Sequence, residues 1–138
     1  MSKENVELIR HAFELFASGD LDAVARLIAE DAEVADAGGL GLQDVSAGTR
    51  RGPEGFLKAL NDVQDAFEGY TVEPMDFLDV GDAVVVPVRV TGTGRASGLE
   101  QEIFVAQAWT VRGGKVVRGE VFRDAEEAKR VLGERGPA

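Results

Sequence analysis

Three side chains whose chemistry suits small-molecule binding lie on two neighbouring strand patterns. They are Arg89, Gln107 and Trp109. Alternation along each valine-rich strand places all three toward the helices that must cover the sheet. A guanidinium can bind a carboxylate or carbonyl, an amide can donate or accept a hydrogen bond, and an indole can form a pocket wall or plain core packing. Because a polar group on a covered face needs a partner or a wet cavity, we expect a ligand pocket there.

Several other kinds of chemistry have no support in the sequence. The 138 residues include no cysteine and one histidine, His11, which excludes thiolate zinc sites, a cysteine nucleophile and a histidine-rich metal site. The glycine-rich stretch 38–41 lacks the lysine and hydroxyl of a phosphate loop, and no nucleophile elbow surrounds Ser46. The formal charge of −10 argues against nucleic acid and anionic membranes as partners. We therefore expect no cofactor, no metal, and a cytoplasmic protein, since residues 1–5 begin a polar helix instead of a signal peptide.

The candidate residues lie in the β-rich second half of the chain, which forms the centre of the predicted fold. Four runs are predicted strands: 70–79, 80–93, 99–112 and 115–123. Glycine-containing turns join consecutive runs, so the strands should be antiparallel neighbours in one curled meander. The sheet has to bury at least one face, and the helical first half is available to cover it.

Three helices are predicted before the meander and one after it. The first begins at Ser2, the second follows a cap at Asp20, and the third opens at Gly52-Pro53. Phe16 in the first and Phe56 in the third lie on apolar stripes at helical spacing, which makes them candidate ligand contacts. The predicted class is α+β in one domain, residues 1–138: a curved antiparallel sheet packed on about three N-terminal helices, with a short C-terminal helix.

Between the second and third helices, residues 32–36 read as a short strand that ends in Asp36. Residues 37–52 are glycine-rich and show no periodicity. A loop of this length in a small domain is usually functional or mobile, so we expect it to act as a lid over the pocket.

An uninterrupted apolar set suggests an interface on the other face of the sheet. Its members are Val84, Val86, Val88 and Val90, with Phe104, Ala106 and Ala108 on the next strand. So much exposed apolar surface is unusual in a monomer, which predicts a homodimer through the outer sheet face.

Three segments are similar to a known family. They are ASGDLDAVARLIAEDAEV (17–34), RRGPEGFLKAL (50–60) and VRGGKVVRGEVFRDAEEAKRVLG (111–133). Together with the order of helices and strands, they resemble the SnoaL-like branch of the nuclear transport factor 2-like superfamily, which includes ketosteroid isomerases and polyketide cyclases. The resemblance implies a cone-shaped, cystatin-like roll with a small-molecule pocket at its open end, usually in a dimer. It does not imply one activity, since such folds host isomerases, cyclases, hydrolases and non-enzymes.

The resemblance also suggests two catalytic residues. The stretch EDAEVAD (30–36) is similar to the one that carries the general base in ketosteroid isomerases, which makes Asp36 a candidate base. Gln107 falls where those isomerases place an acidic oxyanion donor, so its amide could donate to a developing enolate. Ala12 stands where they have an oxyanion tyrosine, so steroid isomerisation itself is not expected. The alternatives are that Asp36 only ends a strand and that Gln107 is a hydrogen-bonded core amide.

Two arginines and one aspartate complete the candidate set. Arg123 falls on the pocket side if the last strand alternates regularly, and with Arg89 it would favour an anionic or polyoxygenated ligand. Arg89 could instead pair with Asp36, which would make that carboxylate a weaker base. Asp124 resembles an aspartate of the family's tail motif, but the segment 124–127 also has the form of a helix capping box.

Three functions remain open on this basis. The first is a cofactor-free isomerase or cyclase that uses acid/base proton transfer on a small ketone or polyketide-like substrate. The second is a domain that binds a small hydrophobic or carbonyl-containing ligand without turnover, and the third is a dimerising accessory module. An enclosed cavity in which Asp36 and Gln107 converge within hydrogen-bond reach of one ligand atom would support the enzyme, and a pocket filled by side chains would support the module.

Overall fold

The computed structural model describes residues 2–35 and 49–135. The elements in chain order are α1 (Ser2–Ala17), α2 (Leu21–Ala25), β1 (Ile28–Ala35), β2 (Thr49–Arg51), α3 (Gly52–Ala66), β3 (Phe67–Pro74), β4 (Leu78–Val80), β5 (Ala83–Gly94), β6 (Glu100–Arg112), β7 (Lys115–Phe122) and α4 (Ala125–Arg135). The predicted α+β class is therefore confirmed. Among the helices of the described residues, none has the length and apolar character needed to cross a membrane.

The strands form one seven-stranded sheet in the order β2-β1-β7-β6-β5-β3, with β4 also paired to β5. The predicted antiparallel meander is present, although the run 70–79 is divided between β3 and β4. The sheet is mixed and not purely antiparallel, because β1 lies parallel to β7. The long stretch of chain between these two strands, which includes α3, permits a parallel pairing that a short turn could not. Ile28 begins β1 and is buried.

The valine row of β5 faces the helices, so its prediction as an outer dimerising surface is wrong. Val84 pairs with Trp109 and Val86 pairs with Gln107, which places these valines on the same face as both candidate site residues. All four valines of the row are at most 1% exposed in the single chain, packed in the main core with residues of α1 and α3. The prediction failed because both faces of β5 are apolar, so alternation could not show which face was covered.

The outer face of the sheet is partly covered by α4. Val85, Ala106 and Ala108 pack there against Ala128 of the helix. The helix begins with a capping arrangement at Asp124, whose Oδ1 accepts a hydrogen bond of 2.9 Å from the Glu127 backbone N–H. In return, Glu127 Oε1 accepts one of 2.8 Å from the Arg123 backbone N–H. The capping interpretation of the segment 124–127 is confirmed.

Candidate functional site

A cavity of about 70 Å³ lies between the inner face of the sheet and the helices. One water needs roughly 10–15 Å³ measured in this way, so the space admits several groups of that size. Most of its wall is apolar and comes from α1, α2, β1 and α3, with Phe16 and Phe56 among the lining residues. The lining residues with polar side-chain atoms are Tyr70, Gln107 and Trp109, and no charged residue of the described chain lines it.

Gln107 is the only buried polar or charged side chain among the described residues, at 3% exposure. It lies in the middle of β6, between Val86 of β5 and Val121 of β7. Its Oε1 accepts a hydrogen bond of 3.0 Å from Trp109 Nε1–H. Because an indole N–H can only donate, the oxygen end of the amide must face Trp109. Within residues 2–35 and 49–135 this is the only hydrogen bond of the side chain, so the amide NH2 group remains available as a donor.

Trp109 forms part of the cavity wall and is held against the neighbouring strand. Its cross-strand neighbour on β7 is Gly119. A Cβ atom added to that glycine would lie 2.4 Å from Trp109 Cζ3, well inside van der Waals contact. The indole can therefore lie this close to β7 only because position 119 has no side chain.

Tyr70 also lines the cavity, and sequence reasoning did not single it out. Its ring packs edge-on against Phe16, with centroids 6.5 Å apart. Burial raises the pKa of the phenol far above its usual value, so the group stays a neutral hydroxyl that can donate or accept a hydrogen bond. Tyr70 and Val72 are two positions apart on β3, so their side chains share one face of the strand, and both line the cavity. This alternation was the sequence signal that could have identified Tyr70.

Arg89 lies on the outer face of the sheet, so the prediction that it faces the pocket is wrong. Its Nε–H donates a hydrogen bond of 2.5 Å to Glu102 Oε2, and Nη1 lies 3.4 Å from Glu73 Oε1. The hydrogen bond to Glu102 and the charge of that carboxylate raise the pKa of the guanidinium. The cause of the error is the register. Because Arg89 pairs with Phe104, odd-numbered residues of β5 share a face with even-numbered residues of β6, and Gln107 lies on the other face.

Arg123 is also on the surface, contrary to the prediction that it lines the pocket. Its side chain is 79% exposed and lies 3.7 Å from a Glu127 carboxylate oxygen. Strand β7 ends at Phe122, and Arg123 belongs to the turn that leads into α4. Regular alternation therefore stops one residue before the arginine.

Asp36 and the larger part of the predicted lid lie outside the described residues. Of the expected loop 37–52, residues 49–51 form β2 and Gly52 begins α3. Strand β1 ends at Ala35, one residue after Val34, which pairs with Gly119 beside Trp109. The catalytic role of Asp36 and its alternative pairing with Arg89 remain predictions. Within the described part of the chain, no group of three or more histidine or acidic side chains is arranged to hold a metal ion.

The chain belongs to the SnoaL-like domain family, whose model matches residues 9–119. The family predicted from the sequence is thus confirmed. A search of the curated proteins found no match.

Solved structures support the same assignment. A nuclear transport factor 2-like protein from Burkholderia thailandensis is 26% identical, with a TM-score of 0.76 and coverage of 86% of this chain and 88% of that one. TerC, co-crystallised with polyporic acid, is 25% identical, with a TM-score of 0.73 and coverage of 94% and 98%. A loop-truncation variant of IdmH is 31% identical, with a TM-score of 0.65 and coverage of 84% and 89%. The cone fold of this superfamily is therefore the fold of the chain.

Proposed function

We propose that the inner cavity binds a small, neutral, mainly apolar ligand that carries a hydrogen-bond acceptor such as a carbonyl, and that the protein transfers a proton on this ligand as an isomerase or cyclase. The observation that carries the proposal is the Gln107 amide, a buried side chain that lines a mostly apolar cavity and whose NH2 group has no partner among the described residues. A charged ligand would lose its hydration without gaining an opposite charge from the described lining, whereas a neutral ligand avoids that cost.

The chemistry would depend on charge that develops on the carbonyl oxygen. When a base removes a proton from the carbon next to a carbonyl, negative charge moves to the oxygen. The Gln107 N–H donor would stabilise that charge more in the enolate than in the ketone, which is the condition for catalysis. Tyr70 lines the same cavity, and its hydroxyl would supply a second donor. Asp36 is our proposed base, one residue beyond the end of β1.

Binding without turnover is the second candidate, and one observation favours it. The described lining contains no carboxylate and no histidine, so it has the composition of a binding pocket and lacks a base of its own. The difference between the two candidates therefore depends on Asp36. The family relationship is compatible with both, and TerC, a relative of similar fold, was co-crystallised with polyporic acid.

Homodimerisation remains a separate proposal. The valine row that first suggested it is buried within the chain, which removes that basis. What the outer face does present is Phe104, a large apolar side chain that is 56% exposed. Light scattering at micromolar concentration would test the assembly, and a monomer there would refute it.

The experiment for the proposed function uses the bicyclic ketone indanone as a probe. Trp109 is the only tryptophan in the chain and lines the cavity, so its fluorescence should change in a saturable way as the ketone binds. Turnover is followed separately by NMR in heavy water, as exchange of the protons next to the carbonyl for deuterium. We expect protein-accelerated exchange that Asp36→Asn removes while binding persists. Binding without accelerated exchange in the wild type would favour the second candidate, and no saturable binding would refute the cavity as a ligand site.

A further inference from the structure

We propose that Trp109 is a positioning residue that makes the inner cavity select hydrogen-bond acceptors over donors, and that Gly119 allows it to do so. The inference rests on the proposed function, because it specifies which ligands the same cavity admits. It concerns the orientation of the Gln107 amide, which neither the family nor the cavity shape determines.

The two ends of an amide are nearly equal in shape and opposite in chemistry. A half-turn of the terminal torsion of Gln107 would exchange the carbonyl oxygen for the NH2 group, and such torsions are soft. In the observed orientation the oxygen accepts the 3.0 Å hydrogen bond from Trp109. In the reversed orientation two donors would face each other, and the partly buried indole N–H would lose its partner. Trp109 thus holds the amide with its donor end free for the ligand.

Gly119 accounts for the position of the indole. Its Cα lies under the six-membered ring, where an added Cβ would approach Cζ3, Cε3 and Cη2 to 2.4, 2.9 and 3.1 Å. The backbone there is not in the left-handed region that favours glycine, so conformational freedom does not explain the residue type. The lack of space explains it, because any larger residue at position 119 would displace the indole that carries the N–H donor.

The consequence is a rule about ligands. A group that presents an acceptor to Gln107 gains a hydrogen bond, whereas one that presents only N–H or O–H meets another donor. Three bicyclic compounds of similar size separate these cases: indanone presents a carbonyl, indole presents only an N–H donor, and indane presents neither. For the wild type we expect indanone to bind roughly two- to tenfold more tightly than indole, the range that one net hydrogen bond gives.

Trp109→Phe is the decisive variant, because it keeps an aromatic ring and removes the N–H. The Gln107 amide is then free to turn either end to the ligand. We expect the affinity ratio of indanone to indole, measured by calorimetry, to fall toward one, whereas the smaller ring at the cavity wall changes the affinity for all three probes by a similar factor. Gly119→Ala should lower the same ratio by displacing the ring. A ratio that keeps its wild-type value in Trp109→Phe would overturn the proposal, since a merely structural tryptophan would weaken all three probes alike.

A second measurement needs no ligand and separates this inference from the proposed function. The single tryptophan gives one indole N–H resonance in an NMR spectrum. We expect it to move upfield in Gln107→Leu, which removes the acceptor, and to stay in place in Phe104→Leu, a matched control on the outer face. An unmoved resonance in Gln107→Leu would refute the positioning role even if ligands bind. If none of the three probes binds the wild type, the proposed function fails and the resonance alone decides the positioning role.

Discussion

Replacing Gly119 with alanine is expected to destabilise the protein by about 1–3 kcal/mol, the usual range for overpacking a well-filled core. The added methyl would lie 2.4 Å from Trp109 Cζ3. Carbon atoms in contact prefer a separation of about 3.5–4.0 Å, so the ring or the strand must move by at least ~1 Å. Backbone strain adds nothing, because Gly119 is not among the described glycines with positive φ. The whole cost is therefore steric.

A double-mutant cycle isolates that contact. In a Trp109→Val background the obstructing ring is gone, so Gly119→Ala should cost little there. The expected coupling free energy between positions 109 and 119 is about 1–3 kcal/mol, and it can be measured by urea unfolding followed by circular dichroism. Circular dichroism is required because two of the four proteins lack tryptophan fluorescence.

Gly133→Ala is the matched control for a glycine replacement that meets no obstacle. Gly133 lies in α4 and has no atom within 4 Å of an added Cβ. Alanine should stabilise the helix there by up to ~1 kcal/mol, the opposite sign to position 119. Steric conflict between Trp109 and a side chain at position 119 is ruled out if Gly119→Ala is neutral, or if its cost is the same with and without the tryptophan.

Three further changes test other parts of the structure. Arg89→Gln should leave indanone binding unchanged, because the guanidinium pairs with Glu102 on the outer face; weaker binding in the fluorescence titration would contradict that placement. Asp124→Ala should lower the free energy of unfolding by about 0.5–2 kcal/mol through loss of the α4 cap, and equal urea midpoints would contradict it. Tyr70, the only tyrosine, should ionise well above its usual pKa of 10.0 in ultraviolet titration. Since the unfolded chain releases that proton first, stability should fall as pH rises above about 10, and Tyr70→Phe should lessen this fall.

The sequence was informative wherever structure depends on local pattern. The Gly52-Pro53 start and the apolar stripe that includes Phe56 predicted α3, and the glycine-containing turn between the runs 99–112 and 115–123 predicted the last hairpin. The capping segment before α4 was also readable, because its hydrogen bonds join residues at most four positions apart.

The sequence was uninformative wherever structure depends on distant pairing. No local pattern indicates that Val34 lies beside Gly119, since the two strands are separated by most of the chain. The sequence also could not show which face of β5 packs against the helices of the cavity. Val84 and Val85 are both fully buried, Val84 under those helices and Val85 under α4. The register between β5 and β6 determines which face carries the valine row and which face carries Arg89. The two predictions therefore failed together.

The most direct test of the account compares indanone binding by wild-type protein and by Gln107→Leu, with tryptophan fluorescence as the signal in both. Leucine keeps the approximate volume and removes the only side-chain amide that lines the cavity within residues 2–35 and 49–135. We expect saturable binding of indanone to the wild type and affinity roughly two- to tenfold weaker in the variant, while indane binds both proteins equally. Equal affinity of the two proteins for indanone would contradict the claim that Gln107 is the ligand's hydrogen-bond donor.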